Sequence, residues 1–196
     1  MPDILVHYSE IATKGKNRKF FERTLVRNIK KALGNPRVYP RFGRILIRSE
    51  ENPDPLSTIP GIANYSPVLV TAPRMEAIKK AALKAVHEKP FKTFRVTATR
   101  ADKNFEKTSQ ETNEILGEYI IKKTGKKVNL GNPDLTLYVE ILGREAYVYT
   151  EKHPGLGGLP VGASGKLVSL LSGGIDSPVA SYLMMKRGCE VVFAHM

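Results

Sequence analysis

The sequence predicts an α+β domain, then an α/β domain, then the opening strands of an open parallel sheet. Three observations carry this reading. Residues up to about 72 give the order β-α-β-β-α-β. A second block, ending near Tyr149, sets two helical patterns among strands of alternating polarity. From Lys166 an apolar strand, a glycine loop, a helix and another apolar strand follow in close succession. At 196 residues and 41% hydrophobic content the chain is long enough to bury one medium core or two small ones, so disorder throughout is excluded.

In the first block, Ile4 to Tyr8 is a short apolar run, and Thr13-Lys14-Gly15 breaks it from a helical pattern starting near Asn17, a good N-cap residue. At 100° per residue Phe21, Leu25, Val26, Ile29, Ala32 and Leu33 fall on one arc. Lys16, Lys19, Arg23, Arg27, Lys30 and Lys31 fall on the other, which makes an amphipathic helix with a basic outer face. Gly34-Asn35-Pro36 ends it. Val38 to Pro40 and Ile45 to Ile47 read as strands, Pro55 to Ile59 as a short helix and Val68 to Thr71 as a last strand. This is the split βαβ, or ferredoxin-like, order, in which two helices cover one face of an antiparallel sheet.

After Pro73 a helix buries Met75, Ile78, Ala82, Leu83 and Val86 and stops before Pro90. Phe94, Val96 and Ala98 alternate with Arg95, Thr97 and Thr99, as in a half-buried strand. A charged turn runs from Arg100 to Lys107. Thr108 opens a helix with Ile115, Leu116, Tyr119 and Ile120 on one face, and Gly125 closes it. Leu135 to Ile141 and Ala146 to Tyr149 are strands joined at Gly143-Arg144. Residues 151–165 hold five glycines and two prolines without periodicity and read as a linker or flexible loop. Leu167 to Leu171 and Val191 to Ala194 then read as strands buried on both faces, flanking a helix that runs through Lys186 with Gly188 as its cap. One βαβ unit cannot bury both faces of its strands, so the last segment reads as the beginning of a larger domain.

The formal charge is +12 and the isoelectric point is near 9.8. Residues 1–59 carry +6, 60–165 carry +5 and 166–196 only +1, so a polyanionic partner is expected on the first two parts. An acidic, substrate-sequestering protein is excluded. The single cysteine, Cys189, can form neither an intramolecular disulfide nor a structural zinc site, and nothing resembles a signal peptide or a membrane span. The expectation is a soluble, cytoplasmic protein with no metal cluster.

The last segment draws its interest from Ser172-Gly173-Gly174-Ile175-Asp176-Ser177. Paired glycines let a backbone approach an anion, the N–H groups opening the following helix point at it along the helix dipole, and two hydroxyls add donors. Asp176 would repel bare phosphate, which favours a magnesium-bound polyphosphate or a polarising role toward a ligand group. Leu167 after Gly165-Lys166 rules out a Walker A loop, and Gly155-Leu156-Gly157 leading to Pro160 rules out a dinucleotide fingerprint.

The hexapeptide after an apolar strand resembles the PP-loop of the ATP pyrophosphatase superfamily, whose members adenylate a carbonyl or carboxyl oxygen. Tyr8-Ser9-Glu10-Ile11 through Lys14-Gly15-Lys16-Asn17-Arg18 is similar to the N-terminal signature of the tRNA 4-thiouridine synthetases, the ThiI family. Phe94 to Glu140, with Arg95, Arg100, Lys107 and Asn132-Pro133-Asp134, resembles a THUMP domain, an RNA-binding module. Gly157 to Gly162 resembles that family's join to the PP-loop. The resemblance covers the chain and implies a ferredoxin-like domain over 1–60 with its last strand to about 72. A THUMP domain over 61–165 includes the glycine-rich linker, and a Rossmann-like PP-loop domain starts at 166–196.

The resemblance further implies ATP and Mg2+ as cofactors, tRNA as substrate and a cysteine desulfurase as persulfide donor. It also implies a homodimer and a link to the thiazole of thiamine. The uridine at position eight of tRNA would be adenylated and AMP displaced by persulfide sulfur. Nucleotide contacts would come from Leu170, Leu171, Ser172, Gly173, Gly174, Asp176 and Ser177, with His195 and Met196 at the adenine and Asp176 the candidate catalytic carboxylate. RNA contacts would come from Lys14, Lys16, Arg18, Lys19, Arg23 and Arg27, and from Arg95, Arg100, Lys103 and Lys107. The sulfur-relay cysteine of the family is not among these residues, and a strand-start cysteine such as Cys189 is more often a packing residue. His7 and His87 read as structural, His153 in the glycine-rich linker shows no partner in the sequence, and Tyr119, Tyr138, Tyr147 and Tyr149 read as core or half-buried. Two alternatives stand beside this reading: a stand-alone tRNA-binding module without catalysis, and a PP-loop enzyme of another type, against which the THUMP-like segment argues.

Overall fold

In the computed structural model, residues 3–41, 43–49, 52–101 and 105–195 are described, and they divide into two compact units. One unit comprises Asp3–Ser66 together with the chain from Lys152, and the other Pro67–Glu151.

The first unit begins with β1 (Asp3–His7), α1 (Arg18–Ala32), β2 (Arg37–Arg41), β3 (Arg44–Arg48) and the first residues of β4 (Asn64–Thr71). The sheet order β2-β3-β1-β4, with β3 antiparallel to both β1 and β2, is that of a ferredoxin-like domain. Alternation sends Ile4, Val6, Ile45 and Ile47 to the face covered by α1, where Leu25, Ile29 and Leu33 meet them together with Leu56, Ile59 and Ile62. A fully buried Leu or Ile contributes about 1.5–3 kcal/mol, so this layer is what holds the sheet to its helix. Of the predicted arc on α1, Phe21 and Val26 are only partly buried and Ala32 is exposed, while Thr24 is buried with its hydroxyl bonded to the Phe20 carbonyl.

Three local expectations are corrected. Asn17 does not cap α1 through its side chain, because two 3₁₀ turns, Glu10–Thr13 and Gly15–Asn17, lead into the helix with Asn17 already in helical conformation. The predicted second helix is one 3₁₀ segment, Asp54–Thr58, so a single α-helix covers the face. The segment read as a flexible linker is pinned: β9 (His153–Pro154) pairs with β4, and His153, expected to lack a partner, stacks on Tyr65 at 5.2 Å.

The same unit holds β10 (Lys166–Leu171), α4 (Asp176–Lys186) and β11 (Glu190–His195), with β10 and β11 parallel from Lys166↔Glu190 to Leu171↔His195. The expectation of strands buried on both faces is corrected here: Val168, Leu170, Val192 and Phe193 are exposed, because two strands and one helix cannot cover them.

The second unit carries the remainder of β4, α2 (Met75–His87), β5 (Thr93–Arg100), α3 (Ser109–Thr124), β6 (Lys127–Val128), β7 (Leu135–Leu142) and β8 (Glu145–Tyr149). The order is β4-β8-β7-β5-β6, with β5 parallel to β7 and β8 antiparallel to both β4 and β7. Ile78, Ala82 and Val86 of α2 and Leu116 and Ile120 of α3 pack on Phe94, Val96, Leu137, Val139 and Val148. Thr108 and Glu111 close a full capping box at the start of α3, and Gly125, at φ 69°, ends it in the left-handed conformation. The two-residue strand β6 has no counterpart in the hydrophobic pattern, being too short to show a period. Tyr138 and Tyr149 stack at 5.0 Å and the Tyr149 hydroxyl donates to buried Glu140, so these rings are structural. No helix among the described residues is long and apolar enough to cross a membrane.

Candidate nucleotide loop and nucleic-acid-binding faces

Strand β10 ends at Leu171 and α4 begins at Asp176, so Ser172 to Ile175 make the corner between them. The Ser172 N–H donates to the Ser177 hydroxyl at 3.1 Å, the two hydroxyl oxygens lie 3.2 Å apart, and the Gly174 N–H reaches Ser172 Oγ at 3.3 Å. Below the loop, Ser181, buried in α4, donates to the Ser177 carbonyl and lies 2.7 Å from Ser169 Oγ of β10. The two serines of the loop are thus tied to each other and to the strand, while Gly173, Gly174 and Asp176 stay exposed.

Neither glycine has a positive φ. A Cβ on Gly173 would meet nothing within 4 Å, and one on Gly174 would meet only Ser172 Oγ at 3.6 Å. The backbone and the neighbours would therefore accept alanine. The space about both glycines is open, as a loop that admits an anion near the start of α4 requires. His195 lies beside the loop on β11, its Nδ1 2.9 Å from the Leu171 carbonyl. Leu170 is exposed at the strand end. These residues fit a triphosphate. Asp176 is the carboxylate available to an accompanying divalent ion, and among the described residues no group of three His, Cys, Asp or Glu could hold a metal by itself. Met196 lies outside the described residues.

The basic candidates separate into two kinds. Lys19, Arg23 and Arg27 are exposed on the outer arc of α1, Lys16 is exposed on the 3₁₀ turn before it, and Lys14 lies 5.3 Å over the Phe21 ring. Arg18 is committed to structure: it donates to Glu22 at 2.9 Å and to the Tyr8 hydroxyl at 2.9 Å. Tyr8 in turn donates to Glu22, and burial first, then this bond, pushes its pKa up to about 12. In the second unit, Arg95 donates to the Leu130 carbonyl at 3.2 Å, and Arg100 gathers the Phe105 and Lys107 carbonyls at 2.9 and 3.2 Å, closing the loop before α3. Lys107 lines an open groove of about 770 Å³ with Arg74, Lys80, Phe105 and Glu106. Sequence reasoning missed Arg74 and Lys80, whose signal was their position beside Pro73 and on the outer arc of α2. Lys103 lies outside the described residues. Cys189 is buried at 8% exposure with its thiol donating to the Ser164 carbonyl, the environment of a packing residue.

These features define a chain in which a ferredoxin-like domain and a second α/β domain precede the phosphate loop of a PP-loop fold. Family models agree: the ThiI ferredoxin-like domain matches residues 3–66, the THUMP domain 72–151, and the thiamine biosynthesis protein ThiI 162–196. The chain belongs to the ThiI family. It is 43% identical over 200 residues to a probable tRNA sulfurtransferase of Moorella thermoacetica, covering 98% of this chain and 51% of that protein. Among solved structures it resembles PH1313 from Pyrococcus horikoshii (TM-score 0.90, 35% identity, 100% of this chain and 68% of that one). It also resembles a 4-thiouridine synthetase crystallised as an RNA complex with bound ATP (TM-score 0.84, 39% identity, 100% and 52%). The chain spans about half the length of the curated relatives it matches.

Proposed function

We propose that this chain is the RNA-binding and nucleotide-loop portion of an ATP-dependent tRNA sulfurtransferase that makes 4-thiouridine at position eight of tRNA. The observation that carries the reading is the pairing, in one ThiI-family chain, of a THUMP domain with a loop whose two glycines are required by neither backbone nor neighbours. The Gly173 N–H, the N–H groups opening α4 and the hydroxyls of Ser172 and Ser177 hold phosphate oxygens. Leu170, Leu171 and His195 would border the adenine, and Asp176 would hold Mg2+ and polarise the reacting end. Bound ATP supplies the adenylyl group that turns the uridine carbonyl oxygen into a leaving group for persulfide sulfur.

The tRNA lies on residues 1–165, through Lys14, Lys16, Lys19, Arg23 and Arg27 of the ferredoxin-like domain and Lys103 and Lys107 of the THUMP domain, where Arg95 and Arg100 shape the surface through their carbonyl bonds. Phosphate contacts position the RNA without reading its sequence, so selection rests on the shape of the acceptor stem and 3′ end. The same reading includes a cysteine desulfurase as sulfur donor, a second copy of the chain, the link to the thiamine thiazole and a cytoplasmic setting.

The test is the affinity of this chain for tRNA across a salt series, with intact tRNA and with tRNA lacking its 3′ end. Tight binding that needs the 3′ end, with affinity falling steeply as salt releases about one counterion per phosphate contacted, supports the reading. Weak binding indifferent to that end overturns the assignment of residues 1–165 to substrate selection.

A further inference from the structure

The glycines of residues 155–165 are placed for close packing. A Cβ on Gly155 would overlap the Ile62 carbonyl oxygen, and one on Gly158, at φ 73°, would overlap the Lys186 carbonyl oxygen. On the side of the ferredoxin-like domain, Gly155 N–H donates to Ala63 at 3.0 Å and Gly157 N–H to Ile62 at 2.7 Å. Gly61 N–H returns a bond to Gly157 at 2.7 Å, and the Asn28 amide of α1 reaches the Val161 carbonyl at 3.0 Å.

On the other side the same residues grip the end of α4. Leu159 N–H donates to Lys186, Gly162 and Ser164 N–H both donate to Gly188, and Glu190 N–H donates to Gly165, all at 2.8–3.0 Å. Leu159 is buried at this contact, and Arg187 reaches Glu10 at 2.7 Å. Helix α4 is eleven residues long and the nucleotide loop opens it, so fixing its last turn fixes the loop. A straight helix of that length is a lever of about 16 Å.

We propose that residues 155–165 are a strap that sets the position of the Ser172–Ser177 loop relative to the ferredoxin-like domain, with Gly158 and Arg187 as its positioning residues. Its purpose rests on the proposed function: RNA seated on the basic face of α1 is then held at a set distance from the nucleotide loop. The strap itself is testable without RNA or ATP.

Cys189, the chain's single cysteine, lies under Ser164 of the strap and reports its opening. With Ellman's reagent the wild-type thiol reacts at least a hundredfold more slowly than in the unfolded chain. Gly158→Ala speeds labelling at least tenfold. Arg187→Glu, a milder change at an exposed pair, speeds it two- to fivefold, and Arg187→Glu with Glu10→Arg returns it to within twofold of wild type. Spin labels at Lys31→Cys and Ile175→Cys in a Cys189→Ala background give one narrow distance with the native pair, a broader one with Arg187→Glu and a narrow one again with the swap. Rapid labelling of the wild-type thiol, or labelling and distances unmoved by Arg187→Glu, overturns the proposal. Absence of tRNA binding by the wild-type chain overturns the function reading and leaves the strap standing.

Discussion

Asp134 and Thr93 hold each other reciprocally: the Thr93 N–H donates to Asp134 Oδ2 at 2.8 Å while the Asp134 N–H donates to Thr93 Oγ1 at 3.1 Å. The Lys92 N–H adds a second bond to the same carboxylate at 3.0 Å. One side chain thus fixes the starts of the parallel pair β5 and β7, where no tight turn could.

The acid dependence of stability follows from that carboxylate. The backbone N–H of Thr93, then that of Lys92, hold the Asp134 pKa below its ordinary value of 3.8. A lowered folded-state pKa means the contribution is complete above the unfolded value and is lost as pH falls through the folded one, so the window lies below about pH 4. Asp134→Asn should lower the thermal midpoint at pH 7 and flatten its fall between pH 5 and pH 2. A variant with the wild-type acid profile would show that other carboxylates dominate.

The capping box of α3 makes a separate stability prediction. Thr108 Oγ1 accepts the Glu111 N–H at 3.1 Å and Glu111 accepts the Thr108 N–H at 2.7 Å. Thr108→Ala should cost about 1 kcal/mol in denaturant unfolding, with an unchanged denaturant slope. A loss below a few tenths would mean that water or Glu111 alone satisfies the helix end.

The open space at Gly173 and Gly174 predicts a split between stability and binding. Gly173→Ala and Gly174→Ala should leave the melting temperature within 2 °C of wild type and weaken ATP binding at least tenfold in calorimetry. Equal ATP affinity in the variants would remove the loop from the phosphate site.

The two kinds of arginine on α1 should behave differently. Arg23→Ala and Arg27→Ala should weaken tRNA binding at every sequence and each lower the salt slope by about 0.7–0.9, leaving stability unchanged. Arg18→Ala should act chiefly on stability, since it strips a donor from the Tyr8 and Glu22 pair. The same contrast applies in the second unit, where Arg100→Gln should loosen the 105–107 loop and Lys107→Ala should report on RNA alone.

Helices α1, α2 and α3 and the strands β5 and β7 were legible because each carries a period long enough to read: Phe94, Val96 and Ala98 alternate, and Ile78, Ala82 and Val86 recur at helical spacing. The Ser172–Ser177 corner was legible as a motif, because its residues are contiguous. What escaped was held by partners far away in sequence. The strap of glycines looks flexible by composition and is pinned by carbonyls at Ile62 and Lys186. His153 gains Tyr65 only when β9 reaches β4.

By itself, then, the sequence determined the order of elements, the basic outer arc of α1, and the place of the loop between β10 and α4, all properties of local period, charge and contiguous chemistry. The tertiary structure alone decided which cations are committed, Arg18 to Tyr8 and Glu22, Arg95 to Leu130, Arg100 to Phe105 and Lys107, and which face outward. It also decided that the glycines before β10 bind two parts of one unit together. The physical reason is that a hydrogen bond or a steric limit depends on where the partner lies in space, and Arg187 and Glu10 are 177 positions apart until the chain folds.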